Sequence, residues 1–277
     1  MKTKKKRKTG SVILHIVMFG LALIWLYPYI WLFLASVKPS AEIYTRFWPT
    51  KFTLEHFRFI LESAERMNRP FVRAFFNSLF VSVTVTLCVL ISSAIIAFAL
   101  SKYKFKAREG IFNFIIFQMV FPGFMFTIPM YILIRNLNLL NSYGALILPS
   151  IMSGWGIFML TQSFKGTPND YIEAAKMDGA SDFFVIFRIM VPLNNSAMAI
   201  VGLFTFIGIW DNFMWPLIVI QDYNKMPLSV LLATFNHEYG AYVGPIMAGS
   251  VIQTIPMVLI FIIFRKAFLQ GISMTLK

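Results

Sequence analysis

The chain has 277 residues, 58% hydrophobic and 13% charged, with a mean hydropathy of +0.70 and a formal net charge of +13. Soluble domains carry about 25% charged residues, so the composition excludes an ordinary soluble enzyme and indicates an integral membrane protein. The positive charge does not indicate nucleic acid: six basic residues crowd the stretch KTKKKRK at 2–8, which fits orientation by the positive-inside rule, with contact to anionic lipid as a secondary use.

Residues 1–10 form a basic N-terminus, and an apolar run follows at 11–37. This order imitates a signal peptide. The run is about twice the length of a signal core and no small-x-small cleavage site follows it, so it reads as an uncleaved first span. Residues 38–74 then form an extracytoplasmic loop with Pro39, Pro49 and an amphipathic stretch at 53–65. A membrane core at 75–268 holds five further apolar runs, at 75–100, 111–134, 143–164, 197–220 and 246–267. Runs of this kind cross a hydrocarbon layer of about 30 Å, so the expected fold is all-α with six spans. Residues 221–245 read as a second outer loop and 269–277 as a tail.

An even number of spans puts both ends on one side, and the lysine-rich N-terminus makes that side cytoplasmic. Sixteen of the 25 Lys and Arg then lie there, and seven of the other nine fall in the long outer loop, where charge bias counts least. The second span carries the small-xxx-small pairs Ser78/Ser82 and Ser93/Ala97, which suit close helix packing within the chain or against a second membrane subunit. The third carries Pro122, Gly123 and Pro129 and is expected to bend, along a transport pathway or as plain packing. The one cysteine, Cys88, rules out a disulfide framework and a cysteine metal site within this sequence.

One polar island interrupts the apolar core: TPNDYIEAAKMDGASDFFVIFRIMVP at 167–192. Thr167 suits an N-cap, Pro168 the first helical position and Asp170 the third. The helix is expected over 169–178 with Gly179 just past its end. A second helix from about Ser181 carries Phe183, Phe184, Ile186, Phe187 and Ile189 back to the membrane until Pro192 interrupts it. Ala174 and Ala175 keep one side low, and Glu173 and Asp178 offer carboxylates to a partner's cationic or N–H groups. The residues alone fit either a docking surface or an interfacial helix with a solvated charged face.

The pattern Glu173-Ala174-Ala175, then Asp178-Gly179-Ala180, then Ile189 and Pro192 resembles the EAA signature of ABC importer permeases. Over nearly the whole chain the sequence is similar to carbohydrate permeases of the maltose-transporter MalG type. FFNSLFVS (75–82), AFALSKYKFKAR (97–108), PMYILIRNLNLLNS (129–142), IWDNFMWPLIVI (209–220), MPLSVLLATF (226–235) and FRKAFLQGISMTLK (264–277) carry that likeness. The resemblance implies a type I importer permease (MetI-like) fold. It also implies a coupling helix at about 168–179 that enters a groove on a cytoplasmic ATPase through Glu173, Ala174, Ala175, Asp178 and Gly179. The implied partners are a second homologous permease, two ATPases and an extracytoplasmic solute-binding protein, with ATP and Mg held by the ATPases and none by this chain. The implied cargo is a sugar of di- or oligosaccharide size, with a non-sugar solute as the alternative. Loop 221–245 is expected to meet the binding protein, and the tail from about Gly271 to reach the ATPases. Two departures stand out: Asp211 precedes Asn212 where family members often have the amide first, and Ser196 stands where a second proline is common.

Asp211 is the one acid placed inside a span. An intramembrane carboxylate is costly and usually faces a cavity or a partner, so Trp210, Asp211 and Asn212, with Gln253 in the last span, are the candidate translocation path. Trp210 and Trp215 would offer stacking faces. The competing reading is a hydrogen bond that caps a helix break near Pro216, or an aromatic belt. His15, His56 and His237 lie at span edges or in loops, and no catalytic motif is present. The sequon Asn194-Asn195-Ser196 falls on the cytoplasmic side. No Gly-Lys dipeptide occurs, so there is no Walker A loop, and an ATP-driven transporter must borrow its ATPase. An ion-coupled secondary transporter lacks the intramembrane sites it needs here, and a receptor lacks an output domain.

Overall fold

The computed structural model describes residues 2–63, 68–237 and 240–275, with side chains for 11–62, 68–236 and 242–266. In chain order the membrane-length helices are α1 (Lys2–Ser36), then, after a short α2 (Glu55–Arg58), α3 (Phe71–Lys102). Next come α4 (Arg108–Met119), α5 (Thr127–Asn136), α6 (Tyr143–Ile147) and α7 (Gly154–Lys165). The polar island supplies α8 (Asp170–Met177), α9 (Asp182–Phe184) and α10 (Val191–Leu193), and α11 (Asn195–Trp210), α12 (Met214–Val219), α13 (Leu228–Ala233) and α14 (Val243–Thr275) follow. Among the described residues the only strands are the two-residue pair Asn236–His237 and Gly240–Ala241, antiparallel, with Asn236 opposite Ala241.

Among the described residues, four helical stretches are long and apolar enough to cross a membrane: Ser11–Ser36, Phe71–Lys102, Tyr143–Lys165 and Val243–Lys266. Two bent pairs raise the number to six, Arg108–Met119 with Gly123–Asn136 at 96° and Asp182–Leu193 with Asn195–Trp210 at 88°. The third expected span is therefore broken, not merely bent. Pro122 is extended (φ −61°, ψ 128°) and opens a 3-10 turn over Gly123–Phe126, and a proline also pushes its predecessor out of helical geometry. Pro129 takes no part in the break. It is the third residue of α5, where an N–H has no intrahelical acceptor to lose.

The chain divides into two compact units, Met1–Phe71 with Leu232–Thr254 and Val72–Leu231 with Ile255–Lys277. In the first, Lys38 is fully buried. Its ammonium donates to the Arg46 carbonyl (2.7 Å), and its own carbonyl accepts from His56 Nε2 (2.8 Å). A Cβ added to Gly244 would lie 2.2 Å from the His56 ring, so only glycine fits beneath that histidine.

The second unit is a helical core in which α3 is central. Val81, Val85, Val89, Ala94, Ala97 and Phe98 of α3 are buried, as are Leu160 and Phe164 of α7 and Val201 of α11. Gly156 of α7 sets the approach: an added Cβ would stand 2.9 Å from Ser93 Oγ and 3.2 Å from Val201 Cγ1. Ser93 thus serves helix packing within the chain. Ser78 has a different task, accepting the N–H of Leu228 at 2.8 Å. Cys88 is half-buried.

Candidate functional site

The polar island forms one exposed helix with two fastened ends. No residue of α8 is buried. Tyr171 is 53% exposed and Met177 88%, and Glu173, Ala174 and Asp178 are exposed while Ala175 is half-covered. The two alanines leave the helix backbone accessible between a carboxylate at Glu173 and another at Asp178.

The C-terminal end follows the sequence expectation. Gly179 sits in the left-handed region at φ +79°. Its N–H donates to the Lys176 carbonyl (3.0 Å), and the Ala180 N–H reaches back to Ala175 (2.9 Å). This is the Schellman arrangement, which satisfies two otherwise orphaned carbonyls and needs a residue without a Cβ penalty.

The N-terminal end corrects it. Thr167 does not cap the helix, and Pro168 and Asp170 do not hold the first and third positions. Asn169 is the N-cap residue, with no side-chain cap bond, and Asp170 is the first helical residue. The reason lies in competing partners. The Thr167 hydroxyl accepts from Asn194 Nδ2 at 3.0 Å, and the Asn169 carbonyl oxygen of the side chain accepts from Lys102 Nζ at 2.9 Å. Lys102 also donates to the Thr167 backbone carbonyl at 2.5 Å.

Beyond Gly179 the chain re-enters a helix at Ser181, whose hydroxyl accepts from the Phe184 N–H at 3.3 Å. The turn then widens to a π-helix over Val185–Met190. Pro192 explains the widening: its ring would clash with the carbonyl four residues earlier in an α register. The sharp bend falls after it, at Asn194. This residue is buried (8% exposed) and works as a joint. Its amide donates to the Met190 carbonyl (2.8 Å), and its side-chain oxygen accepts from Ser163 of α7 (2.6 Å).

Asp182 completes the fastening. It pairs with Lys176 of α8, and the Tyr103 phenol is a second influence on its carboxyl. These two groups, Lys176 first, hold that carboxyl below the usual range. The Asp182 carboxylate, aided by burial, pushes the Tyr103 phenol up to about 12. Lys102, Tyr103, Asp182 and Asn194 escaped the sequence reading because their contacts span many residues of chain. The Lys-Tyr pair lay inside one of the quoted family-like stretches, which was the one signal available.

The break after Trp210 is built differently. Helix α11 ends at Trp210, and Asp211 stands at its C-cap with its N–H on the Ile207 carbonyl (3.0 Å). Asp211 is therefore exposed at a helix end and not embedded in a continuous span. Trp210 is 1% exposed, stacked on Phe206 (5.7 Å) and edge-on to Phe75 (5.4 Å). In this conformation it is packing and offers no stacking face. Trp215 donates its indole N–H to the Ala145 carbonyl at 2.8 Å. The hollow at Asn212, shared with Ser78, Leu146, Trp215 and Pro227, holds only about 10 Å³, room for roughly one water. Gln253, half-buried in α14, belongs to the other unit.

A polar lattice seals the break. Asn77 accepts from the Tyr143 hydroxyl (2.7 Å) and donates to the carbonyls of Asn224 (2.9 Å) and Met226 (3.1 Å). Ser229 donates to the Asn212 carbonyl (2.8 Å), and Asn141 Oδ1 accepts the N–H groups of Gln221 and Asp222. The first half of the expected outer loop is thus folded in, with Met226, Leu228, Val230 and Leu231 buried. Residues 238–239 of that loop lie outside the described residues, as does the side chain of His237. The tail expected from Gly271 continues α14 to Thr275, with its side chains outside the described set.

Residues 90–274 match the family described as binding-protein-dependent transport system inner membrane component. The chain is similar to the arabinooligosaccharides transport system permease protein AraQ of Halalkalibacterium halodurans, 31% identical over 276 residues, covering 97% of this chain and 98% of the relative. It is similar to the lactose transport system permease protein LacG of Rhizobium radiobacter, 26% identical over 277 residues and the full length of both. In fold it resembles a chain from the crystal structure of a bacterial ABC transporter involved in the import of the acidic polysaccharide alginate. There the TM-score is 0.83 and the identity 24%, with 95% of this chain and 98% of that one covered.

Proposed function

The chain belongs to the family of binding-protein-dependent transport system inner membrane components, and from that membership we propose that it is the permease subunit of an ATP-driven oligosaccharide importer. One observation carries the reading. On the proposed cytoplasmic side, the polar interruption at 167–192 holds a helix with a low, acidic face, Glu173 and Ala174 exposed and Ala175 half-covered, and a rigid stop at Gly179. A chain with no ATP loop of its own needs such a surface to receive work from outside.

In this proposal Glu173, Ala174, Ala175, Asp178 and Gly179 meet one of two ATPase subunits, which bind ATP and Mg. A second homologous permease supplies the other coupling helix and the other half of the path. An extracytoplasmic binding protein delivers the solute. Both termini are cytoplasmic in a bacterial inner membrane, in keeping with the basic stretch at 2–8. ATP binding draws the coupling helices together and opens the outer side, and hydrolysis resets it. Asp211 and Asn212 contribute to the path wall once the sealed break opens, and buried Trp210 anchors the helix end beside them; Gln253, in the other unit, is a separate candidate for the path. The sugar class follows from relatives named for arabinooligosaccharides and lactose.

The test is reconstitution of the tagged chain, with the subunits that copurify with it, into proteoliposomes supplied with its binding protein. The proposal expects ATP-dependent accumulation of arabinooligosaccharides or lactose. Purification without any ATPase, or accumulation driven by an ion gradient without ATP, would overturn it.

A further inference from the structure

The first compact unit holds a cavity of about 420 Å³ between the loop that follows α1 and the start of α14. Its size falls within the ~300–1,000 Å³ usual for small-molecule sites. Aromatic rings form part of the wall. Phe59 and Tyr242 stack on one another with centroids 5.3 Å apart and planes 20° apart, and the Tyr242 N–H is fixed on the Phe235 carbonyl at 3.2 Å. Tyr44 adds a ring that is 75% exposed. Ser40, Glu55 and His56 supply the polar part.

His56 is the informative member. It is 3% exposed, and its Nε2 faces the Lys38 carbonyl at 2.8 Å. A carbonyl can only accept, so Nε2 carries the hydrogen, and Nδ1 of the neutral ring is an acceptor. That nitrogen has no hydrogen-bond partner among the described residues. Gly244, which lines the same cavity, makes room for the ring: an added Cβ would stand 2.2 to 2.5 Å from its atoms. The Glu55 carboxylate likewise has no ion pair or hydrogen bond among the described residues.

We propose that this cavity is a binding subsite for part of a neutral oligosaccharide. A sugar ring has apolar C–H faces and a rim of hydroxyls. The faces suit Tyr44 and the Phe59–Tyr242 stack, and the hydroxyls suit two acceptors, the Glu55 carboxylate and His56 Nδ1. Charge sets the class. The lining holds one carboxylate and no Lys or Arg, so a uronate would meet Glu55 without a counter-charge. Under the proposed topology the cavity lies on the extracytoplasmic side, where the solute arrives.

This inference rests on the oligosaccharide reading, and the experiment separates the two. The complete complex, without binding protein, is titrated with tritiated arabinotriose by equilibrium dialysis. The parent is expected to bind it saturably, with unlabelled lactose competing and unlabelled trigalacturonate failing to compete. Tyr44→Ala and Tyr242→Ala are each expected to weaken binding by about tenfold, the upper end for one lost aromatic contact. Tyr242→Phe keeps the ring face and is expected to bind as the parent does, and Glu55→Lys is expected to let trigalacturonate compete. If Tyr242→Ala does not assemble, Tyr44→Ala decides, since a ring 75% exposed leaves no hole in the core. Parental affinity in the assembled alanine variants overturns the subsite, as does a parent that binds no arabinotriose or prefers trigalacturonate. Saturable binding that appears only once binding protein is added also overturns it. ATP-dependent accumulation in proteoliposomes is read in parallel. If the parent accumulates arabinotriose or lactose while the alanine variants bind normally, the subsite alone falls; if it accumulates neither, the importer reading falls, whatever the dialysis shows.

Discussion

The turn around α8 and the break after Trp210 are both polar interruptions in apolar helices, and they use their hydrogen bonds in opposite ways. Around α8 every strong contact lies at the ends, and the middle of the helix is bare. Around Asn212 the contacts converge, the aromatic side chains are packed, and about 10 Å³ of space remains. One region is arranged to be touched and the other to be shut. Under the proposed function they fall at the two ends of a transport cycle: work would enter at the exposed helix and be answered by opening the sealed break.

The largest expected effect is at the sealed end. Asn77 is buried and makes three side-chain contacts. Asn77→Ala strands the Asn224 and Met226 carbonyls and the Tyr143 hydroxyl, at about 1–3 kcal/mol for each group left unsatisfied. A lowered thermal midpoint in detergent is expected, with copurification of the ATPase unchanged. Loss of the ATPase in that variant would erase the distinction between the two ends.

The converse change is Gly179→Val. The space is open, since an added Cβ meets nothing within 4 Å, so the cost is conformational, about 1–2 kcal/mol for a side chain in the left-handed region. Because α8 is exposed, that cost is local. The thermal midpoint should hold while uptake falls sharply and amide exchange rises over residues 177–182. A global loss of stability instead would mean that α8 is part of the core.

Much of this contrast was legible in the sequence, and its failures share one cause. Gly179 was readable because a glycine after a polar helix has a local backbone reason to be there. The break at Asp211 was only half readable: a carboxylate and a proline crowding an apolar run allow a break near Pro216 as a competing reading to a continuous span, whereas the helix ends earlier, at Trp210. Thr167 misled because its hydroxyl has two possible uses, a local cap or a distant amide, and Asn194 is 27 residues away. The sequon at Asn194 and the Lys102–Tyr103 pair were silent for the same reason. Side-chain bonds across 65 residues or more leave no periodicity. Trp210 looked like a stacking platform because a tryptophan beside an acid has the right chemistry, and only packing against Phe75 and Phe206 shows it is occupied.

The smallest expected effect concerns pH. The Asp182 carboxyl is held below its ordinary value by Lys176 and Tyr103. A depressed acid contributes stability above the unfolded carboxylate pKa of about 3.9, and that contribution is lost as pH falls through the lower folded value. Nothing should change between pH 5 and 8. Below pH 4 the end of α8 should loosen, seen as faster amide exchange at 177–182, and Asp182→Asn should already be loose at neutral pH and show no further acid step. Both partners are partly exposed, so solvent screening keeps the effect modest.

The most direct test of the central claim is the ratio of solute accumulated to ATP hydrolysed in proteoliposomes carrying Glu173→Lys. The account predicts that the variant chain inserts and assembles, that its ATPase subunits still turn over ATP, and that the ratio collapses toward zero. A ratio equal to that of the unaltered chain would show that the exposed acidic face of α8 is not where the work enters.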